Sequence, residues 1–510
     1  MNSFPWLTVL MVLPLLGAAV VALLPAGSAD RAKQVAFGAS LVTLLGGLAA
    51  WQAYASEGAG SMYRLAEQHS WIPQFGVSYA LGVDGIGLAL ILMSLILVAV
   101  AILAAWRDVP EGGTREKYYF ALILILEAFM VGVFAATDVF LFYVFFEAML
   151  IPVYFLIGSF GGPRRQYAAV KFLLFSLAGG LVMLVAVVAA YVYGPGGEEG
   201  FLVQNLMGVD AAAGTTAGRW MFLGFFIAFA VKAPMWPVHT WLPDAAAESK
   251  PAVATLLVGV LDKVGTFGML RYCLGMFPEA SRWATPVVLT LAVISILYGA
   301  ILAIGQKDMM RLIAFTSVSH FGFIVMGIFA MTSTGMNGSS LYMVNHGFST
   351  AALFLIVGML AWRGGSTRIG DYGGWQRVTP VLAGVFLISG LSSLALPGLS
   401  SFVSEFLVIA GTFQRYVVAG AVATLGLVLA ALYILLMYQK TMTGPKPDLA
   451  AEVPDLSWRE KWVVIPLIAS FLFLGFYPKP VLDLINPAVQ TTMQTVGISD
   501  PAPTVAGGTK

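Results

Sequence analysis

Only one cysteine, Cys273, occurs in the 510 residues. That excludes a disulfide framework and a cysteine-built metal or iron-sulfur site in this chain. Four histidines, widely scattered, form no evident metal centre. Neither a GxGxxG nor a Walker pattern is present, so nucleotide binding has no support. Charge is scarce too: Asp, Glu, Lys and Arg make up 10% of the residues, against about 25% in soluble domains. A formal net charge of +1 offers no clustered basic surface, which argues against a nucleic-acid partner. The opening run MNSFPWLTVLMVLPLLGAAVVALLP has no basic leader and no persuasive cleavage site, and reads as a retained first span.

What the chain does have is apolar length. Hydrophobic residues make up 59% and the mean hydropathy is +0.87, so the chain reads as an all-α polytopic membrane protein with membrane lipid around it. Taking apolar runs of about 20 residues as spans gives about fourteen helices. Their predicted limits are 6–24, 35–54, 80–105, 118–136, 138–158, 169–193, 220–242, 252–277, 285–305, 311–331, 340–362, 380–412, 415–438 and 462–477. The tail from Lys479 is expected to begin as an amphipathic helix and to become small, polar and mobile at its end. Most basic loop residues follow odd-numbered spans, among them Arg31, Lys33, Arg107, Arg115, Lys117, Arg164, Arg165, Lys307 and Arg311. The positive-inside rule then puts those loops in the cytoplasm and both termini on the outer face.

Against this background the charges inside the spans stand out. Lys232 and Lys263 each sit deep in an apolar run, where an ammonium is costly unless it is paired, hydrated or able to lose its proton. Pro234, Pro237 and Pro243 break the first of these runs, and irregular backbone at such depth survives only beside protein or a water-filled cavity. Glu147 lies nine residues after Asp138, about 14 Å along a helix, and suits a titrating partner for a buried lysine. Glu127 divides between structural polar glue and a place on a proton route. Asp84 and Asp138 stand at helix starts, where capping is the expected role. His239 either carries protons to Lys232 or bonds carbonyls freed by the break. Asp262 directly precedes Lys263, but helix neighbours point about 100° apart, so its role stays open.

Later in the chain, His320 in TSVSHFGF and His346 in VNHGFSTAALF lie on consecutive spans. Imidazole accepts and releases protons near neutral pH, so the pair suggests a relay. Glu405 follows a second interruption at Pro397 and Gly398. The interval from Glu147 to Lys232 equals that from His320 to Glu405, 85 residues each. Spans four to eight and nine to thirteen then read as two inverted five-helix repeats, each containing a broken helix. The resulting division is 1–117 for the first three helices, 118–277 and 278–440 for the two repeats, and 441–510 for the last helix and tail.

The motifs LGVDGIGL, FYVFFEAMLIP, FAVKAPMWPVHTWLPDA, LDKVGTFGMLRY, GQKDMMRLIAFTSVSHFGF, NHGFSTAALF and LPGLSSFVSEF occur in order over about residues 80–415. With them the chain closely resembles the antiporter-like subunits of respiratory complex I, the proton-pumping NADH:quinone oxidoreductase. It is more distantly similar to the large subunits of Mrp-type Na+/H+ antiporters, the alternative function. Glu405 stands where the distal NuoL-type subunit usually has lysine, and that subunit's long lateral helix is lacking. The resemblance implies a proton path through Glu147, Lys232, Lys263, His320, His346 and Glu405; the residues themselves suggest that it runs from the cytoplasm to the outer face in roughly that order, and add Glu127, His239 and Asp262 as secondary candidates. It implies no cofactor in this chain, with FMN, iron-sulfur clusters and quinone in partner subunits, and NuoL-type and NuoN-type subunits as neighbours in a bacterial inner membrane. On this view the chain is a non-redox part of a proton-translocating enzyme. Its departures from the family pattern include Asp262, usually apolar, Met310, often basic, and the segment AAAESKPAVA with Lys250.

Overall fold

The computed structural model describes residues 4–25, 27–58, 61–109, 114–448 and 452–502, most of them helical. The first two helices, α1 (Trp6–Leu23) and α2 (Ala29–Ser56), pack side by side. Their approach depends on Gly17, where a Cβ would lie only 2.5 Å from that of Ala39. A hairpin follows that the helical reading did not foresee. Strands β1 (Arg64–Ile72) and β2 (Val77–Val83) pair antiparallel, with His69 opposite Tyr79, around a turn at Gly76 with φ 71°. The span predicted from residue 80 therefore starts later, as α3 (Gly85–Ala104), capped by Asp84, whose Oδ1 accepts from the Gly87 amide at 2.7 Å. The expected capping role of Asp84 is met, and the same carboxylate pairs with Arg271 at 3.2 Å.

Helices α4 (Thr114–Ala135), α5 (Val139–Phe160) and α6 (Arg165–Tyr193) continue the bundle. Asp138 caps α5 through the Leu141 amide at 2.9 Å, as its position at a helix start predicts. Next come α7 (Thr215–Lys232), α8 (Trp241–Glu248), α9 (Pro251–Met276), α10 (Pro278–Ile304), α11 (Met309–Phe329) and α12 (Ser333–Gly364). The chain closes with α13 (Pro380–Ser393), α14 (Ser400–Phe413), α15 (Val417–Met442), α16 (Trp458–Phe476) and α17 (Lys479–Val496). Eleven helices among the described residues are long and apolar enough to cross a membrane, or twelve if α16 and α17, bent by 71°, count as one. Relative to about fourteen, the count of twelve lacks two predicted spans, 220–242 and 380–412, and the count of eleven also lacks 462–477. The first two are each divided into two shorter helices, α7 with α8 and α13 with α14.

Sequence accounts for both divisions. Pro234 disfavours helical backbone at Ala233 and donates no amide, so α7 stops at Lys232. The carbonyls near its end find other donors: Trp241 Nε1 bonds Val231 O at 2.9 Å, and the Met235 amide bonds Ala230 O at 3.0 Å. Between α13 and α14 the chain turns through positive φ at Ala395 (61°) and Gly398 (93°). Asn345 of α12 steadies the restart, its Nδ2 donating to Ser400 O at 2.7 Å and to Ser404 Oγ at 3.1 Å. A third irregularity lies within α9, which contains π-helical turns at Leu257–Leu261 and Met269–Cys273.

Burial sorts the helices into two groups. The most apolar windows of α9 and α11 are wholly buried and that of α12 is 94% buried, whereas those of α2, α6 and α15 are 28%, 39% and 33% buried. The inner helices carry Asp262, Lys263, His320 and His346, so these groups are shielded by protein, while the outer helices turn Val185, Val192, Leu425 and Val428 outward. In a bilayer such apolar faces suit lipid.

Candidate functional site

Lys232 is the last residue of α7 and is 1% exposed. Its Nζ has no hydrogen-bond partner and lies 4.9 Å from the centroid of the Phe146 ring and 5.7 Å from that of Phe172. Aromatic faces attract a cation, but they do not replace its hydration. Glu147, expected to hold this lysine, makes no salt bridge with it within 4 Å among the described residues. The two interact electrostatically across a gap. The Glu147 carboxylate is pressed instead against Gly180 of α6, where any Cβ would fall 1.6 Å from Oε1.

His239 is buried below the break, its ring edge-on to Tyr298 at 5.1 Å and to Phe315 at 6.3 Å. Its Nδ1 has no partner. Trp241, rather than His239, bonds a carbonyl freed by the break. Beyond lies a charged clamp in which Asp244 of α8 accepts from Lys171 Nζ at 2.7 Å and from Arg311 Nη1. Burial opposes ionisation of Asp244, but these donors outweigh it and hold the carboxyl below its ordinary range. Lys250 stands at the residue before α9, makes no capping hydrogen bond, and interacts electrostatically with Asp108.

In the second half of the site Lys263 is in direct contact with His346, and His320 with Tyr342. Lys263 Nζ donates to Val258 O at 2.6 Å and meets His346 Nδ1 at 2.7 Å. The first π turn lies just before this residue, and such turns occur often where backbone serves a site. The His346 ring is 5.2 Å from that of His320. His320 Nδ1 is 2.5 Å from the Tyr342 hydroxyl, and Tyr342 interacts electrostatically with the Glu405 carboxyl. Tyr433 interacts electrostatically with Glu405 and with Tyr342. All these groups are almost fully buried.

Two points differ from the sequence reading. The histidines stand in reverse order, because His346 rather than His320 meets Lys263. Tyr342 was missed altogether, although it lies four residues before His346 and therefore on the same helix face. Glu127 stays apart: it is fully buried on α4 and neither carboxyl oxygen has a partner.

Buried lysines, histidines and acids, threaded between two broken helices of a polytopic bundle, are the marks of an antiporter-like membrane subunit. A family model described as "NADH:quinone oxidoreductase/Mrp antiporter, TM" matches residues 136–432. NADH-quinone oxidoreductase subunit M of Mycobacterium tuberculosis is 50% identical over 99% of this chain and 97% of that one. A chain of respiratory complex I from Thermus thermophilus superposes with a TM-score of 0.86 at 31% identity, over 96% of this chain and all of that one. The Mrp complex from Dietzia shares the fold, with a TM-score of 0.84 at 24% identity over 97% of this chain and all of that one. The chain belongs to the NADH:quinone oxidoreductase/Mrp antiporter family, on its subunit M branch.

Proposed function

We propose that this chain is the proton-translocating M-type subunit, also called NuoM or chain 4, of an NADH:quinone oxidoreductase. It works in a bacterial inner membrane, with both termini on the outer face and NuoL-type and NuoN-type subunits beside it. Electron transfer through FMN, iron-sulfur clusters and quinone belongs to other subunits, and this one moves protons. The subunit M relatives and the complex I neighbour support membership of the complex. The observation that carries the proton reading is the series in which Lys263 meets His346, the His346 ring packs on His320, and His320 meets Tyr342, with Glu405 coupled electrostatically to Tyr342, all in a shielded interior.

In this reading Lys232 takes a proton from the cytoplasmic side at the break after α7, under the influence of Glu147. Weakening that influence lowers the lysine's hold on the proton, since a nearby anion favours the charged form. The proton reaches Lys263 and then passes to His346, His320, Tyr342 and Glu405 in that order. Glu127 and His239 remain secondary members. Residues 118–277 and 278–440 act as inverted half-channels, with 1–117 and 441–510 as flanking segments.

The test is the intact complex in proteoliposomes carrying Lys232→Ala or Glu405→Ala, with proton uptake measured beside NADH:quinone turnover. Each variant is expected to translocate fewer protons per electron; normal pumping in both overturns the assignment. A Na+/H+ exchanger of the Mrp kind is separated by what co-purifies with the chain. Flavin and iron-sulfur subunits support the complex, and small Mrp-type subunits in their place overturn it.

A further inference from the structure

The path above leaves one deeply buried charge without a part. Asp262 is fully shielded from solvent, and neither of its carboxylate oxygens has a hydrogen-bond partner. Other aspartates of this chain show what a structural carboxylate does here. Asp84, Asp138 and Asp308 each accept an amide at a helix start, at 2.7, 2.9 and 2.9 Å. Asp262 caps nothing. A carboxylate so placed is kept where opposite charge compensates it or where it takes up a proton.

The packing of α9 gives it a direction. At Gly265 this helix touches the end of α7 so closely that a Cβ would lie 2.5 Å from Phe229 O and 2.6 Å from the Ala233 amide nitrogen. Asp262 stands three residues before Gly265 and shares its face, so it is turned toward the end of α7, where Lys232 is the final residue. Lys263 lies about 100° further round and meets His346. The π turn ends at this pair, with the Asp262 amide bonded to Leu257 O at 3.2 Å. The Asp262 carboxylate interacts electrostatically with both Lys232 and Lys263.

From this geometry we infer that Asp262 is the group through which a proton crosses from Lys232 to Lys263, joining the two halves of the path within one turn of α9. The inference rests on the proton path proposed above. In the first step the Lys232 ammonium gives a proton to the Asp262 carboxylate, leaving a neutral amine and a carboxylic acid. In the second, the carboxylic acid gives that proton to the neutral amine of Lys263, which restores the carboxylate and leaves an ammonium. The net charge of the three groups is the same throughout. Lys263 then serves His346 Nδ1, and Lys232 is free to be protonated again.

The experiment uses the intact complex in proteoliposomes with Asp262→Asn, Asp262→Leu and Asp262→Glu, beside Lys232→Ala. Protons moved per electron are measured together with infrared difference spectra during turnover. Asp262→Asn and Asp262→Leu are expected to lose the protons that Lys232→Ala loses, and Asp262→Glu to retain them. A protonated-carboxyl band should appear during turnover, shift in Asp262→Glu and vanish in Asp262→Asn. If Asp262→Leu pumps like the parent while Lys232→Ala does not, the crossing role falls and the path stands. If both pump like the parent, the path falls too. Should the Asn and Leu variants fail to assemble, the parent and Asp262→Glu spectra decide: no shifting band overturns the inference.

Discussion

At the scale of single residues, the second half of the site depends on one hydroxyl. Tyr342 meets His320 Nδ1 at 2.5 Å and interacts electrostatically with the Glu405 carboxyl. Both neighbours can exchange protons, and the phenol gives them a shared partner. Tyr342→Phe keeps the ring that fills the space and removes only this link. The expected result is a loss of protons moved per electron, with a stability change of about 1 kcal/mol, the net value of one hydrogen bond. Proton uptake by proteoliposomes and thermal unfolding of the same complex measure the two effects. Unchanged uptake in Tyr342→Phe would remove the hydroxyl from the path. Lys232, Lys263, Glu405 and both histidines were legible in the sequence because a titratable group within an apolar run is costly. Tyr342 was not, since a tyrosine in such a run carries no charge and looks like any other aromatic. The approach of Glu147 to Gly180 was equally hidden, because no pattern in either helix announces which glycine will face which acid.

Between elements, the decisive contact is that of α7 with α9, and it is made by backbone. A methyl group at Gly265 would meet Phe229 O and the Ala233 amide nitrogen, atoms fixed at the end of a helix rather than at the tip of a flexible side chain. Gly265→Ala must therefore push the two helices apart. Overpacking of this kind costs about 1–3 kcal/mol, and the displacement falls at the end of α7, beside Lys232. The variant is expected to unfold at lower temperature and to pump less than its loss of folded protein explains; parent-like stability and pumping together would show that the approach is not needed. The broken helices were readable, because Pro234, Pro237, Pro397 and Gly398 interrupt runs otherwise long enough to span. The π turns of α9 left no such sign, since one extra residue in a turn changes neither composition nor apolar length. The hairpin was missed for a related reason: reading by hydropathy finds long apolar runs, and β1 is a short mixed segment with most of its residues at least partly exposed.

For the whole molecule, the shielded interior has to be held together across the bundle, and the C-terminal helix acts as a tie. Its amphipathic character was visible in the sequence from Lys479, whereas the final residues 503–510 lie outside those described. Helix α17 buries Ile485, Val489, Met493 and Val496 and packs on α3 and α12. Its backbone comes so near Gly85, at the start of α3, that a Cβ there would fall 1.7 Å from Leu484 O. Polar contacts secure its end: Arg282 Nη1 donates to Val496 O at 2.8 Å, Arg415 Nη2 to Ser499 O at 2.8 Å, and the Ser333 amide to Asp500 Oδ1 at 2.8 Å. None of these groups belongs to the proposed proton path, so the tie and the path are separable. Truncation before Lys479 removes four buried apolar side chains whose burial is worth at most about 1.5–3 kcal/mol each, uncovers the faces of α3 and α12 on which they pack, and takes acceptors from two arginines. The truncated chain is expected to give less assembled complex and a lower unfolding temperature, while the complex that does assemble moves as many protons per electron as the parent. A truncated complex as stable as the parent would show that α17 ties nothing, and a lowered proton ratio in the assembled fraction would place the helix within the path.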